Sequence, residues 1–128
     1  MSQVQVFHQQ AMDFAEAAVV ARLRGDLEQA EQLTRQAFEQ ETQAAALTAN
    51  NLDAEPTRSV LHRSAASLAI ECGEFRVADR LIATALSGDP PPEIAEELKD
   101  LFVQINLSQY LKRQGIHLDV NDLRRLVS

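Results

Sequence analysis

The sequence has one cysteine, Cys72, and no tryptophan. A single thiol excludes a disulfide framework or a cysteine-based zinc site built within one chain. Aromatic residues are only 5% of the chain, so Ala and Leu are left to fill the core, which suits closely packed helices. Four Gly and four Pro encode few tight turns. No stretch approaches the ~18 consecutive apolar residues of a membrane span. The start, MSQVQVFHQQ, lacks the basic region and apolar run of a signal peptide. A reducing cytoplasm is the expected setting, with no membrane partner.

Basic charge is also in short supply. Twelve Lys and Arg face nineteen Asp and Glu, for a formal net charge of −7. A general nucleic-acid binder needs the opposite balance to neutralise phosphates, so no nucleic acid is expected as a partner. The surplus is uneven: residues 1–57 carry three basic and nine acidic side chains, residues 58–128 nine and ten. A solvated helix surface accounts for that run of acid.

Catalytic signatures are missing as well. The chain contains no Gly-rich phosphate loop, nucleophile elbow or His-Glu-x-x-His motif. His8, His62 and His117 fall on separate segments, so neither a metal nor another cofactor is expected. Cys72 reads as a small buried core residue at a helix C-terminus, where the negative dipole end disfavours a thiolate.

What remains is helical periodicity. Val4, Phe7, Ala11, Phe14, Ala18 and Ala21 form one apolar stripe, ended by Gly25, and Asp26 caps a second segment reaching about Thr48. After a loop through Pro56, Thr57 is the expected N-cap of a third segment, closed by Gly73. A fourth runs from Glu74 to about Leu86, and Pro90-Pro91-Pro92 ends it. A fifth runs from Glu93 to about Gln114 and stops at Gly115. An extended linker into a short helix, Asn121–Val127, is expected beyond it.

The chain also resembles itself. Aligning Gly25 with Gly73, an offset of 48, pairs Ala18 with Ala66, Ala21 with Ala69, Asp26 with Glu74, Leu27 with Phe75, Ala30 with Ala78 and Ala37 with Ala85. Small residues let two helices lie close, and Gly permits the reversal between them.

These residues resemble the tetratricopeptide repeat (TPR). Residues 59–92 carry the better match, through Gly73-Glu74-Phe75-Arg76-Val77-Ala78, Ile82, Ala85-Leu86 and Asp89-Pro90, while His62 stands where the family prefers a large apolar group. Residues 11–44 match through Phe14 and Ala18. The run from Glu55 to Leu98 is also similar to a cassette of short bacterial TPR-like proteins. The resemblance implies an all-α, TPR-like domain over residues 1–128: antiparallel helix pairs at 4–49 and 57–87, a capping helix at 93–114 and a tail at 115–128. The 48-residue offset departs from the ~34 of a tandem array, so no regular superhelix is expected.

In that family the first helix of each pair lines a concave face. The matching positions are Met12, Ala15, Val19, Arg22 and Leu23 in the first pair and Val60, Arg63, Ser67, Ile70 and Glu71 in the second. Ala15 and Val19 stand where the family's clamp for a C-terminal carboxylate needs Lys and Asn, which disfavours a chaperone tail as ligand. The strip suits an amphipathic helix or extended peptide of a partner protein, unless the fifth helix or the tail covers it.

The leading expectation is therefore a non-catalytic interaction module or adaptor. The alternative is a homo-oligomer, such as a homodimer, that consumes the strip and tail in self-association. A third reading takes Arg58 and His62, one helical turn apart, as the pair of a HEPN-type helical RNase, although their spacing is shorter than in that family. Against it, His62 is expected to pack on its hairpin partner while Arg58 is solvated. In the tail, Lys112, Arg113, Arg124 and Arg125 accompany Ile116, Leu118, Leu123, Leu126 and Val127; it is expected to dock on the body or on a second subunit.

Overall fold

Ser2 starts the first helix. Its hydroxyl accepts from the Gln5 amide, and the Gln5 side chain accepts from the Ser2 amide, so two end donors are satisfied reciprocally. The computed structural model describes residues 1–116. They form α1 (Gln3–Leu23), α2 (Leu27–Thr48), α3 (Thr57–Glu71), α4 (Phe75–Leu86) and α5 (Pro92–Arg113), with a 3-10 turn at Leu52–Ala54. The fold is all-α, and no strand occurs among the described residues. The expected helix Asn121–Val127 lies outside them.

The two reversals at Gly25 and Gly73 share one geometry. Gly25 has φ +81° and Gly73 φ +75°, a left-handed conformation that L side chains adopt at a cost. At the first, the Gly25 amide donates to Arg22 O (3.0 Å) and the Asp26 amide to Ala21 O (2.9 Å). At the second, Gly73 donates to Ile70 O (3.0 Å) and Glu74 to Ala69 O (2.8 Å). These are paired Schellman closures, which satisfy the last carbonyls of each helix. Asp26 then caps α2 through the Gln29 amide. Thr57 does not cap α3: it is the first helical residue, Pro56 takes the cap position, and no side chain bonds the end amides there.

Small residues set the helix spacing. Ala18, Ala21 and Ala30 in the first pair, and Ala66, Ala69 and Ala78 in the second, are all buried. Ala37 and Ala85 are fully enclosed. The 48-residue repeat is thus a repeat of packing as well as of sequence.

The helices alternate in direction. His8, near the start of α1, meets Glu41, near the end of α2. Arg35 of α2 reaches Cys72 O at the end of α3. Arg58, at the start of α3, reaches Thr84 O near the end of α4. α5 packs on both α3 and α4. One core cluster joins Phe38 of α2 to Ile70 of α3, Ile82 of α4 and Leu98 and Ile105 of α5. A second joins Ala44 and Ala45 to Leu61 and Ala65, flanked by Val4 and Phe7 of α1. Enclosing a side chain such as Ile82 or Leu98 contributes about 1.5–3 kcal/mol. With so few aromatics, stability rests on many such modest terms.

Cys72, expected as a small buried core residue, is half-buried and packs at the edge of the first cluster. Burial pushes its thiol pKa up; nearby Arg35 opposes this, and Glu71, Glu74 and Glu39 add to it.

Candidate functional site

A helix whose apolar residues outnumber its neighbours leaves some of them in water. α1 is in that position, because α2 is its main packing partner. Val19 is 50% exposed and Leu23 83% exposed, Met12 and Ala15 are half-buried, and Arg22 is exposed. The spacing of Met12, Ala15, Val19 and Leu23 puts them on one flank. Large apolar side chains grouped in this way mark a surface that gains from being covered.

The second-pair half of the expected strip is arranged differently. Ile70 is 6% exposed and belongs to the core with Ile82, Leu98 and Ile105. It is not a surface contact, because α5 lies against that side of α3. Arg63 Nη1 donates to Glu97 Oε2 of α5 at 2.7 Å, and Ser67 lines a shallow groove with Asp100 and Leu101. Val60 is half-buried and Glu71 exposed. The continuous strip expected from the sequence is therefore divided: α5 takes Arg63, Ser67 and Ile70, and the α1 flank stays open.

The two halves meet at one cleft. Arg22 of α1 and Glu71 and Cys72 of α3 line it, with Leu27, Thr34 and Arg35 of α2. Arg35 is held there by the Cys72 carbonyl at 3.2 Å and by Glu74 at 3.5 Å. The cleft thus continues the open flank of α1 with polar groups of both signs. On the opposite flank, Asp13, Glu16 and Asp26 surround Ala17, Val20 and Leu33. In the sequence that acid marks only a solvated surface; the groove beneath it is made by the packing of α1 on α2.

Arg58 and His62 are brought together, but inside the protein. They are 2% and 1% exposed, which overturns the expectation that Arg58 is solvated. Arg58 Nε donates to Ala49 O at 2.9 Å and Nη2 to Thr84 O at 2.8 Å, with Glu55 Oε1 3.8 Å from Nη1. Ser59 Oγ donates to the other Glu55 oxygen. The guanidinium therefore ties the start of α3 to the ends of α2 and α4, and its planar fork is matched to that task. His62 Nδ1 lies 2.7 Å from Arg58 O; a carbonyl only accepts, so this nitrogen carries the proton. Burial pushes the His62 pKa down, the carbonyl contact opposes this, the Arg58 charge adds to the lowering, and the Glu55 charge opposes it. Groups spent on main-chain carbonyls and shut off from water do not present a substrate site in this arrangement.

Glu41 is a second buried charge, at 0% exposure, with His8 Nδ1 2.9 Å and 3.1 Å from its two oxygens. Among the described residues no group of three or more His, Cys, Asp or Glu side chains is placed to hold a metal ion. No helix among them is long and apolar enough to cross a membrane. No protein-family profile, curated protein or solved structure matches the chain.

Proposed function

We propose that this protein is a non-catalytic, TPR-like interaction module that holds an amphipathic helix or extended peptide of a partner protein on the α1 flank. The observation that supports this most is the exposure of Val19 and Leu23 on one side of α1, continuous with the cleft of Arg22 and Glu71. Apolar contact at Met12, Ala15, Val19 and Leu23 supplies affinity in this reading, and Arg22 with Glu71 sets register. The partner is another protein, and no cofactor takes part. We extend the proposal to a reducing, cytoplasmic setting, which fits a lone half-buried thiol.

The test is a matched pair of baits, the native chain and the double variant Val19→Asp/Leu23→Asp. Both positions are exposed, so the variant should melt with the native chain. Partner proteins retained by the native bait and lost by the variant support the reading. Identical capture profiles contradict it. The competing reading is self-association through the same flank. It is favoured if light scattering finds a native dimer that the double variant converts to monomer.

A further inference from the structure

Glu16 stands in the middle of the apolar crest of α1. It precedes Val19, Val20 and Leu23 by three, four and seven residues, which places all four on one side of the helix. Val19 is 50%, Val20 40% and Leu23 83% exposed. Val20 also lines the groove between α1 and α2, an open trough of about 530 Å³. Half-buried Leu33 and exposed Asp13, Glu16 and Asp26 line it too, and Arg24 is its one basic lining residue. Asp13 accepts from the Gln9 side chain (3.0 Å) and Asp26 from the Gln29 main-chain amide (3.1 Å), both uncharged donors. None of the three carboxylates forms an ion pair among the described residues.

A partner that covers Val19, Val20 and Leu23 takes the Glu16 carboxylate out of water with them. An ionised carboxylate enclosed without a counter-charge costs affinity, so a purely apolar face fits this crest poorly. A Lys or Arg set among the partner's apolar side chains meets Glu16 there, and further cations meet Asp13 and Asp26. Phosphates, anionic lipid headgroups and acidic peptides meet the same three carboxylates with the wrong sign. Resting on the reading that the α1 flank holds a segment of another protein, we propose that this segment is basic and amphipathic, and that it lies across the crest of α1 with its cationic side in the groove against α2. The nine acidic and three basic side chains of residues 1–57 also draw such a segment in from a distance. Charge then supplies rate and specificity, while the two valines and Leu23 hold the complex.

The experiment titrates the full chain into two fluorescein-labelled helical peptides that share the same leucines and carry either Lys or Glu at the remaining positions, with fluorescence anisotropy as the readout. The Lys peptide should bind roughly tenfold tighter or more at about 50 mM salt, and the ratio should shrink at about 500 mM. Asp13→Asn/Glu16→Gln should weaken the Lys peptide by roughly three- to tenfold. Glu93→Gln/Glu96→Gln removes the same charge from exposed positions of α5 and should not. Val19→Ser/Leu23→Ser should weaken it as well. Equal binding of the two peptides, lost in Val19→Ser/Leu23→Ser, overturns the basic partner and leaves docking on the α1 flank standing. Binding of neither peptide overturns both. Equal weakening by the α5 variant, or Lys-peptide binding that survives Val19→Ser/Leu23→Ser, reduces the effect to net charge and overturns the groove. A native dimer in sedimentation that Asp13→Asn/Glu16→Gln dissociates assigns the groove to a second copy and overturns the proposal too.

Discussion

A methyl group on Gly88 would sit 2.5 Å from Nη1 of Arg58. The tip of an arginine is ordinarily free to move aside, but this one is pinned by the carbonyls of Ala49 and Thr84. Gly88→Ala must therefore break one of those bonds inside the protein. A loss of about 1–3 kcal/mol is expected, the cost of leaving a buried polar group unpaired. Urea denaturation measures it. In an Arg58→Met background the same Gly88→Ala change should cost clearly less, because the conflict has been removed.

Substitution of Arg58 itself should be among the most damaging in the chain. Arg58→Ala leaves main-chain carbonyls unmet and Glu55 without its cation, for a loss of about 3–5 kcal/mol. Arg58→Lys should rescue little of it, since a single ammonium cannot reach the carbonyls of two different helix ends at once. Equal stability of the Lys variant and the native chain in chemical denaturation would contradict this.

The His62 environment makes a prediction about acid. Burial holds its pKa below the ordinary 6.5, so between the two values the unfolded chain binds a proton that the folded chain does not. Stability must then fall as pH drops from about 7.5 through 6.5 toward the folded value. His62→Phe removes that proton, and Phe14 occupies the equivalent position of the first pair. Thermal melts across pH 5–8 should show a shallower acid loss for the variant than for the native chain.

Glu41 and His8 predict an asymmetry. His8→Leu alone leaves a carboxylate enclosed without its partner, at a cost of about 1–3 kcal/mol or more. Glu41→Leu combined with His8→Leu removes both polar groups and should cost less than the single His8 change. A double-mutant cycle measured by urea unfolding checks the sign.

The architecture was legible where local chemistry decides it. Gly25 and Gly73, with an acidic residue after each and alanines at fixed distances, announce two close-packed reversals whatever surrounds them. The triple proline fixes the start of α5. The buried Arg58 was not legible, because its partners are the carbonyls of Ala49 and Thr84, and a main-chain carbonyl has no signature in sequence. Gly88 was the available clue, but a glycine before three prolines reads simply as a helix stop. Ile70 was misplaced for a related reason: periodicity puts it on a flank of α3, and only the docking of α5 on that flank decides that it is core. The α1 residues Val19 and Leu23 escaped this ambiguity, since no later helix packs over them among the described residues.

The claim that the α1 flank receives a partner is tested most directly by site-specific photo-crosslinking in the native cell. A photoreactive phenylalanine derivative is placed at position 19, at position 23 and, as a control, at Arg80, which is exposed on α4. The account predicts an adduct between this 14.2 kDa chain and a different protein from positions 19 and 23, and none from position 80. No adduct at 19 or 23, or an adduct made only of two copies of this chain, would contradict it.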